Sequence, residues 1–447
     1  MNTAFKRRLP PAYADGIDAP RVGVDGYPLP SPRIVSAHLH RDDGPHDHAV
    51  TIMAVAWGQA IDHDMTLTAE TKDPITKEDP KCCEGPGHPE CFPIHVPDED
   101  PFYSLFGQNC ISMVRSVPGV KYGCKLGPRS QINQISSVLD ANWVYGSTND
   151  HADQIRLHRG GLMKGYFNGY DPKIDPSMSD DFVTSAFRFG HSLLPATIER
   201  WSPGNKYISS QRLSKMLRKP YDLYKAGWCD QYIMGLVNQV AQAMDDSVTQ
   251  EVTNHLFEEH DKRWGMDLAA INMQRGREHG VNSYNDYRVF CGLPRAHVFE
   301  DLLGTMSNKS VARYKHIYRH PDDIDLWSGG VSERPLPGSM IGPTFSCLIG
   351  LTFKELRFGD RFWYENQGFP SQFTPDQLEE IRKVKLSRVI CDNSDDIKTM
   401  QVYAMVLPDH EINPRVACNA GILPRLDLSK WRDSHGPSPI VRPHPHF

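Results

Sequence analysis

Four side chains that can exchange protons or bind metal lie close together in the segment AVAWGQAIDHDMTLTAE. They are Gln59, Asp62, His63 and Asp64. The pattern predicts a helix over 51–66, on which the first three share one face because they are three or four residues apart. That face is otherwise apolar, and an unpaired polar group there costs stability. A lone histidine would be explained as a hydrogen-bonded core residue, but four such groups within six residues favour a site. An imidazole that is neutral near pH 7 suits a proton shuttle.

A second segment, RSQINQISSVLDANWVYGS, offers an oxygen atom at every second residue. The hydroxyl, carbonyl, carboxylate and amide oxygens belong to Ser136, Val138, Asp140 and Asn142. Calcium takes about six to eight oxygen ligands from flexible loops, so alternating donors along an extended loop can bind it. An ordinary turn rich in Asp and Asn explains the same pattern.

A third candidate, His191, lies in SAFRFGHSLLP. The sequence predicts a helix that begins after the N-cap residue Ser179 and ends before Pro195. A histidine on the apolar face of this helix is either a core residue or an axial iron ligand. The ligand role requires a partner for the second ring nitrogen. The segment LAAINMQRGREHG supplies candidate partners in Asn272 and Arg275.

The spacing WGQ-x-x-DHD resembles the distal motif of the animal haem peroxidases, the family of myeloperoxidase, peroxidasin and arthropod peroxinectin. The resemblance implies that His63 takes a proton from hydrogen peroxide and returns it to the leaving oxygen, while Gln59 holds the distal water or substrate. It also implies an ester between Asp62 and haem b, and a calcium ion bound by Asp64. The family's calcium loop corresponds to the segment that carries Ser136, Val138, Asp140 and Asn142.

The segments FRFGH and LAAINMQRGREHG are similar to the proximal motifs of the same family. The resemblance makes His191 the ligand of the haem iron and Asn272 the acceptor of its ring N–H. Arg188 and Arg275 then pair with the haem propionates, a role that suits the guanidinium fork.

Further segments extend the resemblance over about 430 residues, nearly the whole chain. IDLWSGGVSE, GPTFSCLIG, FGDRFWYEN and SRVICDNS resemble the C-terminal half of the family, and LPPAYADGI and GYPLPSPRIVS are nearest to arthropod peroxinectin or chorion-type peroxidases. The implied fold is mainly α, a helical domain around a buried haem with few short strands. The implied disulfides are Cys291–Cys347 and Cys391–Cys418.

One departure from the family lies between Gly161 and Tyr166, in GGLMKGYFNGYDP. Members of the family have a long segment there, with a helix that carries a distal arginine and with a glutamate that forms a second haem ester. No counterpart is present in this sequence. Loss of a group that stabilises the departing anion can cost orders of magnitude in rate, and loss of the helix exposes apolar surface of the haem pocket.

The chain divides into an extended, surface-lying arm at 1–50, a peroxidase domain at 51–433 and a disordered tail at 434–447. Residues 71–101 are predicted to form a loop rich in Pro, Cys and Glu, and a long amphipathic helix is expected within 229–260. A net charge of −6 gives no reason to expect nucleic acid or an anionic membrane as partner, and no apolar run is long enough to span a membrane.

The ten cysteines indicate the compartment. Five of them lie between Cys82 and Cys124, which favours disulfides and an oxidising environment. Free thiols remain an alternative, and zinc bound by Cys82, Cys83, His88 and Cys91 ranks last because the spacing fits no usual zinc pattern. The family and the cysteines imply a secreted protein, although the N-terminus has no apolar core like that of a signal peptide.

Three hypotheses about function follow. The first is a peroxidase that reduces hydrogen peroxide and oxidises a phenol, a halide or a protein tyrosine. The second is a catalytically impaired haem- and calcium-binding protein with an adhesion or matrix role, for which the sequence has neither RGD nor KGD. The third is a chain that does not fold stably without the missing segment.

Overall fold

The structure is a computed structural model that describes residues 3–84, 87–119, 127–139, 165–370 and 372–432. The predicted tail at 434–447 lies outside these ranges. So do Cys124, two candidate calcium ligands, Asp140 and Asn142, and residues 161–164 of the junction.

Helices account for most of the regular structure. The α-helices of the described residues are α1 Pro32–Leu39, α2 Ile52–Met65, α3 Asp180–Thr184, α4 Trp228–Asn238, α5 Gln250–Thr253, α6 Leu268–Glu278, α7 Tyr284–Phe290, α8 Asn308–Ile317, α9 Leu326–Val331, α10 Pro343–Gly359, α11 Pro375–Arg382 and α12 Leu386–Asn393. Short 3₁₀ segments lie at Tyr103–Phe106, Ala186–His191, Leu213–Lys215, Pro220–Tyr224, Phe299–Leu302, Pro321–Asp323 and Leu428–Trp431.

The strands are short and pair two by two. The antiparallel pairs are β1 Thr3–Ala4 with β5 Ile132–Asn133, β2 His46–Thr51 with β8 Val240–Gln242, β3 Ile94–His95 with β4 Cys110–Ile111, β6 Thr197–Trp201 with β7 Tyr207–Arg212, and β9 Thr399–Gln401 with β10 Arg415–Ala417. The prediction of a mainly helical fold with few short strands is confirmed. The largest buried side chains of the main core include Trp327, Tyr284, Tyr314 and Phe345, from α7 to α10.

Helix α2 confirms the helix predicted over 51–66. It begins where the Ile52 N–H donates to the Gln239 carbonyl (3.0 Å). At its C-terminal end the Asn133 side chain donates to the Met65 carbonyl (2.7 Å) and accepts from the Leu67 N–H (2.8 Å). The segment that carries the candidate calcium ligands therefore caps the helix that carries His63, since these bonds satisfy backbone groups that a helix end leaves unpaired.

The helix predicted after Ser179 is broken in two. Helix α3 ends at Thr184, and the chain continues as a 3₁₀ segment from Ala186 to His191. The Arg188 Nε donates to the Val183 carbonyl (2.8 Å), which in a continuous helix would accept from a backbone N–H. Ser179 does not cap the helix with its side chain, because its hydroxyl accepts from Arg8 instead.

The prediction of a purely extended surface arm at 1–50 is wrong for residues 32–39, which form α1. Ser31 caps this helix by accepting from the Arg33 N–H, and a proline occupies its first turn. Arg33, Val35 and Leu39 are buried. Tertiary contacts thus draw this part of the chain into the core.

The prediction of a long helix within 229–260 is also wrong beyond residue 238. Helix α4 ends at Asn238, and residues 240–242 pair with β2 as strand β8. The Gln239 side chain donates to the Thr197 carbonyl (2.6 Å) and accepts from the Glu199 N–H (3.0 Å). These long-range bonds compete successfully with continuation of the helix.

Four disulfides are present among the described cysteines: Cys82–Cys91, Cys83–Cys110, Cys291–Cys347 and Cys391–Cys418. The two pairs implied by the resemblance are confirmed, and the zinc alternative is wrong because its thiols are consumed in disulfides. Cys229 is exposed and free. No helix in the described ranges has the length and apolarity needed to cross a membrane.

Replacing Arg33 with methionine should lower the free energy of unfolding by about 3–5 kcal/mol, because two carboxylates then lose a buried partner. The guanidinium donates to Asp100 (2.6 Å) and to Asp267 (2.7 Å), and all three side chains are at most 2% exposed. Urea denaturation measures the change. The control is Lys72→Met, which breaks an exposed pair with Asp79 and should cost less than about 1 kcal/mol. Equal losses in the two variants would contradict an integral role for the first helix.

Candidate active site

A cleft of about 350 Å³ lies between α2 and the 3₁₀ segment Ala186–His191. The structure brings Gln59, Asp62, His63, Arg188 and His191 together in its lining. The remaining lining residues are Ala54, Val55, Gly58, Thr66, Leu67, Thr68, Val183, Phe187, Phe189, Gly190, Leu193, Leu194 and Met340. Polar groups from two elements therefore converge on a largely apolar slot, as expected of a cofactor site.

Gln59 and His63 form a hydrogen-bonded pair one helical turn apart. The Gln59 side-chain nitrogen lies 2.6 Å from the His63 Nε2. Since an amide nitrogen only donates, this Nε2 accepts the hydrogen bond. Both side chains are exposed. In the described part of the chain, this wall of the cleft is open to solvent.

Asp62 lies deeper in the cleft. Its Oδ1 accepts from the Thr66 hydroxyl (3.1 Å). Burial raises the pKa of this carboxyl, an effect that the charge of Arg188 and the Thr66 hydrogen bond oppose. Asp64 is 5% exposed and does not line the cleft, so the two aspartates lie on different sides of α2.

His191 is held by Asn272, a residue outside the cleft lining. Its Nδ1 lies 2.9 Å from the Asn272 side-chain nitrogen. Burial, reinforced by the charge of Arg188 and opposed by the Asn272 hydrogen bond, lowers the pKa of this imidazole to about 3. The ring is therefore neutral at pH 7, the form in which an imidazole can bind a metal.

The side-chain amide of Asn272 has the orientation opposite to the predicted one, in which its oxygen faces His191. Its Oδ1 accepts from the Arg188 Nη1 (2.9 Å), which leaves its NH₂ group facing His191. A guanidinium has donors only, so it takes the oxygen of the amide. The predicted acceptor role of Asn272 requires Arg188 to turn toward another acceptor first.

The two arginines predicted to bind propionates have different surroundings. Arg188 lines the cleft, and among the described residues no carboxylate forms an ion pair with it. Burial and the charge of Arg275 lower the pKa of Arg188 to about 10. Arg275 does not line the cleft, since it pairs with Glu70 (2.8 Å) and Glu278 (3.3 Å). Arg188 is thus a desolvated cation without a carboxylate partner among the described residues, which is the chemistry that binds an anionic group.

The candidate calcium ligands are only partly described. Ser136 is buried, and its hydroxyl donates weakly to the Val138 carbonyl (3.4 Å). Val138 packs against a buried cluster that includes Met65, the residue after Asp64.

Sequence reasoning did not single out Thr66, Leu194 or Met340 as site residues. The position of Thr66, four residues after Asp62, is a signal that helical periodicity could have provided. Met340 lies in a loop 149 residues after His191, and no local pattern connects the two.

Replacing Asp62 with asparagine should stabilise the haem-free chain at pH 7. Burial raises the pKa of this carboxyl above its ordinary 3.8, so its charge is disfavoured in the folded state at higher pH. The gain should shrink as pH falls and vanish below about 3.8, where the carboxyl is protonated in both states. Urea denaturation between pH 3 and 7 measures it. The control, Asp73→Asn, removes a carboxyl whose pKa is lowered by backbone hydrogen bonds, and should act in the opposite direction. A loss of stability in Asp62→Asn at pH 7 would refute the account.

Comparison with known families agrees with this geometry. A family model described as "Animal haem peroxidase" matches residues 1–168 and 163–405, two blocks that meet at the junction where the sequence departs from the family. The chain is 28% identical to the protein named "Peroxidase" of Drosophila melanogaster, covering 97% of this chain and 80% of that protein. The alignment spans 557 positions, more than the 447 residues of the chain, so the relative has a large insertion relative to it.

Other relatives and structures extend the likeness. "Peroxidasin homolog" of Homo sapiens is 29% identical over 96% of this chain and 38% of that protein. Peroxidase A from Dictyostelium discoideum superimposes with a TM-score of 0.73 at 20% identity, covering 91% of this chain and 96% of the other. A fatty acid alpha-dioxygenase from Oryza sativa gives 0.68 at 15% identity, covering 92% and 84%, and like the previous structure it shows the fold. With matched blocks over most of its length, the chain belongs to the animal haem peroxidases, a family of oxidoreductases.

Proposed function

We propose that this protein reduces hydrogen peroxide at haem b bound in the cleft between α2 and the 3₁₀ segment, and oxidises a small donor. The observation that carries the proposal is that the imidazoles of His191 and His63 line the same cleft, one from each of its two walls. Haem in this position supplies the iron at which peroxide is split and through which electrons pass from the donor.

His191 is the proposed iron ligand. Its neutral ring has a lone pair available, and Asn272 holds the ring in place through Nδ1. Arg188 is the proposed partner of a propionate. If Arg188 turns toward that propionate, its Nη1 no longer donates to the Asn272 Oδ1. The Asn272 amide can then rotate so that its Oδ1 accepts from the His191 Nδ1–H. Binding of the group would then bring about the predicted orientation of Asn272.

His63 is the proposed acid–base group. Its Nε2 takes the proton from one oxygen of peroxide and returns it to the oxygen that leaves, which requires no net proton from solvent. Gln59 holds this nitrogen and orients a water molecule or substrate. Asp62, a carboxyl whose pKa is raised by burial, lines the cleft and is the proposed site of an ester to the haem.

A calcium ion bound by Asp64, Ser136, Val138, Asp140 and Asn142 is part of the same proposal. The support is the buried position of Asp64 and the capping of α2 by Asn133 from the neighbouring loop. Calcium would strengthen that connection. A secreted location is supported by four disulfides, which persist in oxidising compartments. The proposed donors are a phenol, a halide or a protein tyrosine.

An impaired haem- and calcium-binding protein is the second candidate. The exposure of Gln59 and His63 favours it, because electrostatic stabilisation weakens where water enters. The junction of the two family blocks at 163–168 agrees with the absence of the family's distal arginine segment. The two candidates differ in turnover, whereas both require haem.

Replacing His191 with alanine should abolish stoichiometric haem binding, because the cleft then lacks an axial ligand. The pyridine-haem spectrum of purified chain measures haem per protein. The matched control is His297→Ala, which removes an exposed histidine outside the cleft and should leave the haem content unchanged. Full haem content in His191→Ala would contradict the proposed ligand.

Replacing His63 with alanine should leave haem bound but lower the guaiacol oxidation rate by a factor of about 10²–10⁴, the usual contribution of a positioned acid–base group. The rate is compared with that of the parent and of His297→Ala at equal haem content. A parent that binds haem without turnover would favour the second candidate. If the parent turns over and His63→Ala oxidises guaiacol at the same rate, the proposed role of His63 is contradicted.

A further inference from the structure

A second cleft, of about 440 Å³, lies between the β6–β7 hairpin, the segment 215–223 and helix α4. Its lining shares no residue with that of the haem cleft. We propose that it binds a single-chain alkyl carboxylate, with the tail on its apolar floor and the carboxylate at Arg218.

The floor of this second cleft is apolar. Ile198 and Tyr232 are buried, at 9% and 8% exposure, and Met216, Leu223 and Leu236 complete the surface. The volume lies in the range of about 300–1,000 Å³ that is usual for small-molecule sites. Each methylene of a hydrocarbon chain that leaves water for this floor makes binding more favourable.

The rim of the second cleft has an excess of positive charge. Lys215, Arg218 and Lys219 line it together with a single carboxylate, that of Asp222. Asp222 is paired with Lys225 (2.7 Å), a residue outside the lining.

Among the described residues, the other pairings leave two cations of the rim without a carboxylate. Lys215 pairs with Glu258, while Lys219 donates to the Glu258 carbonyl (3.4 Å). Among the described residues no carboxylate forms an ion pair with Arg218. An anionic head group would supply the missing charge.

Arg218 is held in a position suited to such a head group. Its guanidinium lies 3.8 Å from the centre of the Phe257 ring, which occupies one face of the cation, and its N–H donors lie at the edge of that plane. Both residues have left-handed backbones, with φ of 58° for Arg218 and 56° for Phe257. Such conformations are unfavourable for residues with a Cβ and are concentrated at functional sites.

These features together define the ligand. An inorganic anion would leave the apolar floor uncovered, and a neutral or cationic amphiphile would leave Arg218 without a partner. A carboxylate accepts two N–H bonds from the edge of one guanidinium. An alkyl carboxylate satisfies both the floor and the rim.

Isothermal titration of dodecanoate into the full chain, below the concentration at which micelles form, tests the proposal. Arg218→Asn should weaken binding about tenfold, as expected when a charged hydrogen-bond partner is lost. Asparagine tolerates the left-handed backbone, so the variant should fold. The matched control is Lys206→Gln, which removes a charge from the same hairpin outside the cleft and should leave the affinity unchanged.

Two further measurements test where the alkyl tail binds and whether this site is separate from the haem cleft. Decanoate should bind more weakly than dodecanoate by about fourfold per methylene removed, and Leu223→Ser should weaken dodecanoate binding. Haem-loaded and haem-free chain should bind dodecanoate equally. The proposal is overturned if the parent does not bind dodecanoate, or if Arg218→Asn binds it as tightly as the parent does. It is also overturned if the parent binds dodecyltrimethylammonium as tightly as dodecanoate, or if loading haem displaces dodecanoate.

Discussion

Buried arginine–carboxylate pairs connect the first forty residues of the chain to the elements that carry the active site. Arg8 reaches Asp181 in α3, Arg33 reaches Asp267 at the start of α6, and Arg21 reaches Asp325, which also pairs with Arg277 of α6. A carboxylate removed from water is stable only with a partner of opposite charge, so these pairs permit few alternative arrangements. The position of α3 and α6 relative to each other depends on them.

The proximal side of the cleft is formed by residues of α6 and of the segment after α3. Helix α6 presents Asn272, and the segment after α3 presents Arg188 and His191, which lie within hydrogen-bonding reach of one amide. Desolvation and the nearby guanidinium lower the pKa of His191 and so keep its imidazole neutral well below pH 7. Local electrostatics thus support the proposal that His191 binds the haem iron.

The distal side depends on different contacts. Helix α2 is fixed at one end by a backbone bond to Gln239 and at the other by the Asn133 side chain. Gln59 and His63 keep their relative geometry because they are one turn apart, although their surroundings are open. The chemistry proposed for them needs exclusion of water as well as alignment. This difference between the two sides explains why haem binding and turnover are separate questions for this chain.

The sequence by itself determined what depends on local spacing or on recognised segments. Periodicity placed Gln59, Asp62 and His63 on one face of α2, and the family segments indicated a mainly helical fold and two of the disulfides. It did not determine that residues 32–39 form a buried helix, or that α4 ends at Asn238. Nor did it determine that Arg275 turns to Glu70, a partner 205 residues away, or that the amide of Asn272 faces Arg188 with its oxygen. Those outcomes depend on contacts between segments far apart in the chain, where the need to pair buried polar groups overrides local preference.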